Sequence, residues 1–360
     1  MSLRGGGSER VIAMLTSNLA KNYGADVTLA TFDGPDDEFF YDIHHKVKVD
    51  RLEIGHTKTR TKLSEFLRRI FKIRRYVKKT KPDLIVGFNS SSYMLLWFSL
   101  IKIKVPMISS EHSSFEYFKG KIIERSLLYF SSLFEKKIIV ISDITMNTFP
   151  SSVRKNMTVI LNPLISSDGE SADVDTDQSG NVILSVGRLT PEKNHSELIR
   201  AFSIIANKIP KWNLRIIGDG ELRASLMNLV DRYGLSKRVE LPGSKKNISE
   251  EYLKAKFLVI PSKFEGFGLV AAEAISHGLP VIGFNECNGI KRIIKDNENG
   301  IIVKTRMQNR IKSLSNSILK LSINESLRKE LSDNCKIPDG FDEISSTQKW
   351  LELFKSQIAK

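Results

Sequence analysis

Two rhythms alternate along this chain. Stretches with an apolar residue every three or four positions predict amphipathic helices, and short β-branched runs predict strands. "ERVIAMLTSNLAKNYG" (Glu9–Gly24) has the helical spacing and stops at Gly24. "DVTLATF" and "VKVDRLEI" read as strands, and "TKLSEFLRRIFKIRRYVKKTKPD" as a helix halted by Pro82. "LIVGF", "VPMISS", "KIIVIS" and "MTVIL" are further strands. The polar stretch Ser166–Gly180, whose one large apolar residue is Val174, reads as a linker or exposed loop. The alternation then restarts with "NVILSVG", "HSELIRAFSIIANKI", "WNLRIIG", "ELRASLMNLVDRYG", "FLVIPS", "LVAAEAISHG" and "PVIGF". Helical stretches follow from about Arg306. The pattern predicts an α/β protein of two doubly wound units, residues 1–160 and 161–341, with a last helix near 342–360.

Composition narrows the class. A chain of 360 residues suits two domains, and 41% hydrophobic with 27% charged residues suits a soluble globular protein. Two cysteines, Cys287 and Cys335, make neither a disulfide framework nor a metal cluster, which points to the cytoplasm. "MSLRGGGSER" lacks the apolar core of a signal peptide. The most apolar window, Ser92–Ile108, is interrupted by Lys102 and Lys104 and is too short to cross a bilayer. A net charge of +14 predicts anionic partners: nucleic acid, anionic lipid or phosphorylated small molecules.

Candidate chemistry sits at strand ends, where open α/β sheets bind ligands. "FLVIPSKFEGFGLVAAEAISHG" reads strand, loop, helix, and places Glu265, Gly266, Phe267 and Gly268 at such an end. The glycines let the backbone approach a ligand, and the helix N-terminus offers N–H groups to a phosphate. Glu273, inside that helix, has the chemistry to accept two hydrogen bonds from a ribose diol. The same spacing also describes a solvated helix carboxylate beside a turn. "SVGRLTPEKNHSEL" places Gly187, Arg188 and Lys193 at another strand end, and two cations there fit a diphosphate. "IIGDGELR" is a third such junction and reads as a tight turn.

"GRLTPEKN", "GDGELR", "PSKFEGFGLVAAEAISHGLPVI" and "NGIKRIIKDNENGIIV", in this order, resemble the retaining GT-B glycosyltransferases of family 4. The resemblance implies two Rossmann-like domains facing a central cleft. It assigns Arg188 and Lys193 to the donor diphosphate, Glu265 to the transferred sugar and Glu273 to the ribose. The backbone around Phe267, Gly268, Leu269 and Val270 would cradle sugar and phosphate. His112, in "ISSEHSS", matches a family histidine near the donor sugar, although a single histidine is more often structural. "RGGGSER" (Arg4–Arg10) matches the family's Gly-rich loop, with Gly6 and Gly7 approaching phosphate or acceptor. "ILNPL" resembles the crossing between domains, and the last helix would return to the N-terminal one. The family begins with an apolar strand before the Gly-rich loop, and here only "MSL" stands there. The expectation is a start further upstream or a truncated form with neighbouring strands unpaired.

Between Lys58 and Lys81 there are eleven Lys/Arg against one acid, Glu65. The apolar stripe Leu63, Phe66, Leu67, Ile70, Ile73 and Val77 predicts a surface helix packed on a sheet. Its cations suit an anionic membrane surface. No RNA-binding motif, zinc spacing or stacking stripe argues for specific nucleic-acid binding. Phe115, Tyr117 and Phe118 either border a lipid-linked acceptor or fill the core, with core favoured.

The expected function is transfer of a sugar from a UDP- or GDP-sugar to a glycan or lipid-linked acceptor, with retention and with no metal or other cofactor. The expected setting is bacterial surface polysaccharide assembly, in the cytoplasm and peripheral on the inner membrane face. "DVDTD" (Asp173–Asp177) has Asp-x-Asp spacing but reads as solvated, not as a metal site. Two alternatives stand beside it: a GT-B sugar-nucleotide epimerase or phosphorylase, and a non-catalytic membrane- or RNA-binding protein on a degenerate fold.

Overall fold

The structure is a computed structural model that describes residues 6–55, 63–112, 115–118, 125–126, 129, 137–164, 170–175, 180–304, 309–336 and 340–359. The chain forms two compact units, Met1–Pro163 with Gly340–Lys360, and Leu164–Asp339.

The first unit opens with α1 (Gly7–Asn22), which buries Val11, Ile12, Leu15 and Leu19. Glu9 in its first turn and Lys21 in its last complement the helix dipole. β1 (Thr28–Thr31) and β2 (Lys48–Arg51) form a parallel pair. α2 (Leu63–Thr80) follows, and Lys81 with φ +47° and Pro82 end it. β3 (Ile85–Phe88), α3 (Ser90–Ser99), β4 (Met107–Glu111), β5 (Ile138–Val140), α4 (Asp143–Thr148), α5 (Ser151–Arg154) and β6 (Met157–Val159) complete it. β3 to β6 form one parallel sheet in chain order.

Period-two alternation gives each strand two faces. Ile85 and Met107 point to a layer with α2 and α3 that includes Ile73, Val77 and Leu95. Val86 and Ile108 point to the other, with Leu15 and Leu19 of α1 and Trp350 and Leu353 of the C-terminal helix Glu343–Ile358. Ser346 Oγ of that helix donates to the carbonyl of Leu161 at 2.7 Å. Ala30 and Phe32 share the first layer with Ile85, yet no ladder joins β1 to β3 among the described residues. The apolar window Ser92–Ile108 is part of a ten-residue helix and a strand, and no described helix is long and apolar enough to cross a membrane. Phe118 is fully buried with Phe149 and Val153, and Phe115 packs on them, so these two rings are core. The side chain of Tyr117 lies outside the described residues, as do Arg4, Lys58 and Asp177.

The second unit holds six parallel strands: β7 (Asn181–Val186), β8 (Trp212–Ile217), β9 (Val239–Gly243), β10 (Phe257–Ile260), β11 (Val281–Phe284) and β12 (Gly300–Val303). Its helices are α6 (His195–Ile205), α7 (Arg223–Arg232), α8 (Ser249–Lys254), α9 (Leu269–Ser276), α10 (Arg310–Ile323) and α11 (Glu325–Asp333). The spatial order is β12-β11-β10-β7-β8-β9. The chain winds outward from β7 through β8 to β9, then returns to the other side of β7 as β10 and winds the opposite way. The direction reverses between β7 and β10, which is the place where doubly wound sheets form a ligand crevice. The linker stretch is tied down where it is described. Lys256 Nζ donates to the carbonyl of Asp173 at 2.6 Å, and Asp175 pairs with Lys329 at 3.0 Å. The Asp175 carboxylate of "DVDTD" is thus held by a lysine.

Candidate active site

Two loops meet at the reversal. The loop after β7 carries Gly187, Arg188 and Lys193, and the loop after β10 carries Glu265 to Gly268. Lys193 Nζ donates to both oxygens of Glu265, at 2.6 and 2.7 Å. Ser262 Oγ donates to Glu265 Oε1 at 2.7 Å. Both partners are mostly withdrawn from water, with the lysine side chain 20% and the glutamate 13% exposed, so the attraction is less screened than on the surface. The loops also share backbone bonds: Lys263 N–H donates to the carbonyl of Glu192 at 2.9 Å. Asn194, at φ +55°, turns the chain into α6.

Glycines explain the close approach. A Cβ on Gly218 would lie 2.0 Å from the carbonyl oxygen of Gly187, and one on Gly289 would lie 2.2 Å from that of Glu265. "GDGELR" and "NGIKR" therefore act as backbone supports pressed against the two functional loops. Leu189 N–H donates to the carbonyl of Asp219 at 2.9 Å, and Leu222 N–H to that of Leu189 at 3.0 Å. Gly268 caps α9 at φ +77°, and no side chain caps that helix. The amides of Leu269 and Val270 open the helix, where its dipole favours an anion.

Glu273 lies four residues beyond Leu269 and is only 1% exposed, so it is not a solvated helix carboxylate. The hydroxyl of Tyr252, itself fully buried, donates to Glu273 Oε2 at 2.9 Å. Arg188 shares the loop of Lys193 but is exposed. With Lys193 it adds to the pull that holds the Glu192 carboxyl below its usual range, a shift caused first by Glu192's own backbone N–H and by Thr190. In the first unit, Gly6 N–H donates to the Tyr41 hydroxyl at 3.3 Å and Gly7 begins α1. His112 follows β4, with Nε2 3.1 Å from Ser110 Oγ and its ring 5.8 Å from that of Phe88. The structure thus brings Lys193 and Glu265 together, adds Ser262, and seats Glu273 on Tyr252.

Desolvation lowers the His112 imidazole to about 4 and the His195 imidazole to about 3, so both are neutral at pH 7. His195 is buried beside Gly187, and its Nδ1 has no partner among the described residues. An unfolded chain protonates its histidines near pH 6.5. From about 6.5 down to about 4 for His112, and to about 3 for His195, the unfolded state therefore binds more protons than the folded one. Stability is full above that window and falls as pH drops through it. Urea unfolding at pH 7, 6 and 5 should show the decline, and His195→Gln should shallow it.

Comparison with known proteins shows the family. Residues 5–164 match the model of Glycosyltransferase Family 4, and residues 167–337 match that of Glycosyl transferases group 1. The amylovoran biosynthesis glycosyltransferase AmsD of Erwinia amylovora is 31% identical over 298 residues, spanning 81% of this chain and 80% of its own. The chain is a family 4 glycosyltransferase. A second relative of this glycosyltransferase, at 30% identity over 98% of the chain and 96% of the relative, is an N-acetylgalactosaminyltransferase of Campylobacter jejuni that acts on a diphospho-undecaprenol-linked sugar. The fold matches sucrose-phosphate synthase from Thermosynechococcus elongatus at TM-score 0.82 and 21% identity, covering 99% of this chain and 94% of that one. It matches Anabaena HepE in complex with UDP and glucose at TM-score 0.79 and 18% identity, covering 99% and 98%. The glycosyltransferase has the GT-B fold, and its membership selects a sugar transferase over the non-enzymatic reading.

Proposed function

We propose that this glycosyltransferase moves a sugar from a UDP- or GDP-sugar to a glycan or lipid-linked glycan, with retention at the anomeric carbon. The observation that carries the reading is the Lys193–Glu265 pair at the reversal point, whose carboxylate lies in the loop that leads into α9. In the structure the ammonium and the carboxylate neutralise each other. A bound donor offers each a better partner: the diphosphate takes the ammonium, and the sugar hydroxyls donate to the carboxylate. Arg188, Lys193 and the amides of Leu269 and Val270 then oppose the charge that develops on the departing diphosphate. Fixed cations supply this stabilisation, so the reaction needs no metal. The diphosphate oxygen accepts the proton of the incoming hydroxyl on the same face as the broken bond. Glu273 holds the ribose. His112, Gly6 and Gly7 are assigned to the sugar and phosphate by the resemblance, and His112 does so as a neutral hydrogen-bonding group. The acceptor class is supported by relatives named for amylovoran biosynthesis and for transfer to a diphospho-undecaprenol-linked sugar.

A screen of UDP- and GDP-sugars for thermal stabilisation tests the reading, because a ligand that binds only the folded chain raises its melting temperature. One or a few sugars should raise it and Lys193→Ala should abolish the rise; a flat response to every nucleotide sugar rejects the assignment.

The same proposal places the enzyme on the cytoplasmic face of an anionic membrane. α2 turns Ile73 and Val77 inward and leaves Leu63, Leu67 and Phe71 exposed beside the exposed cations Arg68, Lys72 and Arg75. Each basic residue at such a surface contributes about 1 kcal/mol. Sedimentation with phosphatidylglycerol vesicles should fall with salt and fall further when Arg68, Lys72 and Arg75 become glutamine. Binding that ignores both changes rules this surface out. No specific nucleic acid is proposed as a partner.

A further inference from the structure

The Lys193–Glu265 pair has a support that no motif reveals. Arg310, the first residue of α10, is a buried-stem arginine whose donors all point into the second unit. Its Nε donates to Glu197 Oε2 at 2.6 Å and its Nη1 to Glu286 Oε2 at 3.3 Å. Its Nη2 donates to the carbonyls of Pro261 at 3.0 Å and Ser262 at 3.3 Å. The guanidinium also lies 3.5 Å from the centroid of the Phe284 ring. One planar group therefore ties together α6, the end of β10 and the end of β11.

Two of those ties lead to the reacting groups. Ser262, whose carbonyl Arg310 holds, sends its hydroxyl to Glu265. Glu197 lies in the first turn of α6, which begins directly after Lys193 and Asn194. Asn194 Nδ2 reaches the same Pro261 carbonyl at 3.5 Å. A shift of this arginine would move the loop of the ammonium and the loop of the carboxylate relative to each other. Lysine does not substitute for it, because its compact ammonium lacks the planar fork that lies flat on the ring while donating to partners several ångströms apart.

We propose that Arg310 is a positioning residue for sugar transfer: through Ser262 and Glu197 it sets the geometry between Lys193 and Glu265. The proposal rests on the donor-site reading above. Its prediction is a loss in turnover that passes through Glu265, not a general loss of stability.

The test uses full-length protein, UDP-glucose and GDP-mannose as probes, and release of the nucleoside diphosphate as the rate. Arg310→Lys should lower kcat by about tenfold or more while the donor KM moves by less than about threefold. In a Glu265→Gln background the same change should cost no more than about twofold, because interactions that act through one group are not additive. Ser262→Ala, which leaves every Arg310 contact in place, should reproduce both results and decides the matter if Arg310→Lys does not fold. A tenfold loss repeated in full in the Glu265→Gln background, or a kcat for Ser262→Ala within twofold of wild type, overturns the proposal. If the wild-type protein binds neither probe nor any other nucleotide sugar, the donor reading fails and this inference falls with it. That result is visible in wild type alone.

Discussion

Lys193→Ala should lower sugar transfer by about 10²- to 10³-fold, the loss typical of removing one preorganised donor from a developing anion. Lys193 sits 2.6 Å from Glu265 in the loop between β7 and α6, at the reversal of the sheet. In the proposed reaction its ammonium gains most when a further negative charge develops on the leaving diphosphate, so the effect falls on kcat more than on donor affinity. The substitution also leaves the Glu265 carboxylate, mostly withdrawn from water, with Ser262 as its remaining described side-chain partner. That orphaned charge should lower stability by about 1–3 kcal/mol. Lys193→Arg keeps the charge and should recover part of the rate. Nucleoside diphosphate release, followed against donor concentration, separates the two parameters. A Lys193→Ala enzyme with kcat within threefold of wild type would remove the ammonium from the mechanism.

The second large effect belongs to a residue with no side chain. Gly218→Ala should cost about 3–5 kcal/mol of folding stability, from a strained backbone and a forced overlap together. Gly218 has φ +142°, and an added Cβ would meet the Gly187 carbonyl oxygen at 2.0 Å with no flexible end to give way. The backbone that must yield is the start of the Arg188–Lys193 loop, so the surviving folded fraction should also bind nucleotide sugars more weakly. Gly234→Ala is the control. Its φ is +65° and nothing lies within 4 Å of its Cβ, so about 1 kcal/mol is expected. Urea midpoints for the two variants give the comparison, and equal losses would show that the apposition of the two loops carries no energy.

Much of the fold was legible because its signals are local. The run "NVILSVG" became β7, "WNLRIIG" became β8, and "FLVIPS" and "PVIGF" became β10 and β11. β10 and β11 are buried throughout, so their composition is unmixed, while β7 and β8 keep a β-branched or apolar majority. β9 escaped because "VELPG" lies at a sheet edge, mixes exposed with buried positions and contains Pro242. β12 lies inside "NGIKRIIKDNENGIIV", which reads only through its family resemblance. Within the site, Lys193 and Glu265 were named from their loops, and the structure brings them into contact. Ser262 stands three residues before Glu265 and had a local spacing that deserved weighing. Tyr252 and Arg310 had none: their partners lie 21 residues or more away in sequence, and pairing at that range is decided by the sheet. Gly218 read as part of a tight turn and Gly289 only as part of a family motif, because a clash with a distant carbonyl leaves no trace in the local pattern.

The C-terminal helix has a consequence for how the protein is made. Trp350 and Leu353 are buried against Leu15, Leu19, Ile108 and Ile160, which a ribosome releases more than a hundred residues earlier. Residues 164–339 have all their own strands in one continuous piece and can close their core during synthesis. The part of the chain that emerges first must wait, with one apolar layer uncovered, until Trp350 and Leu353 have left the exit tunnel.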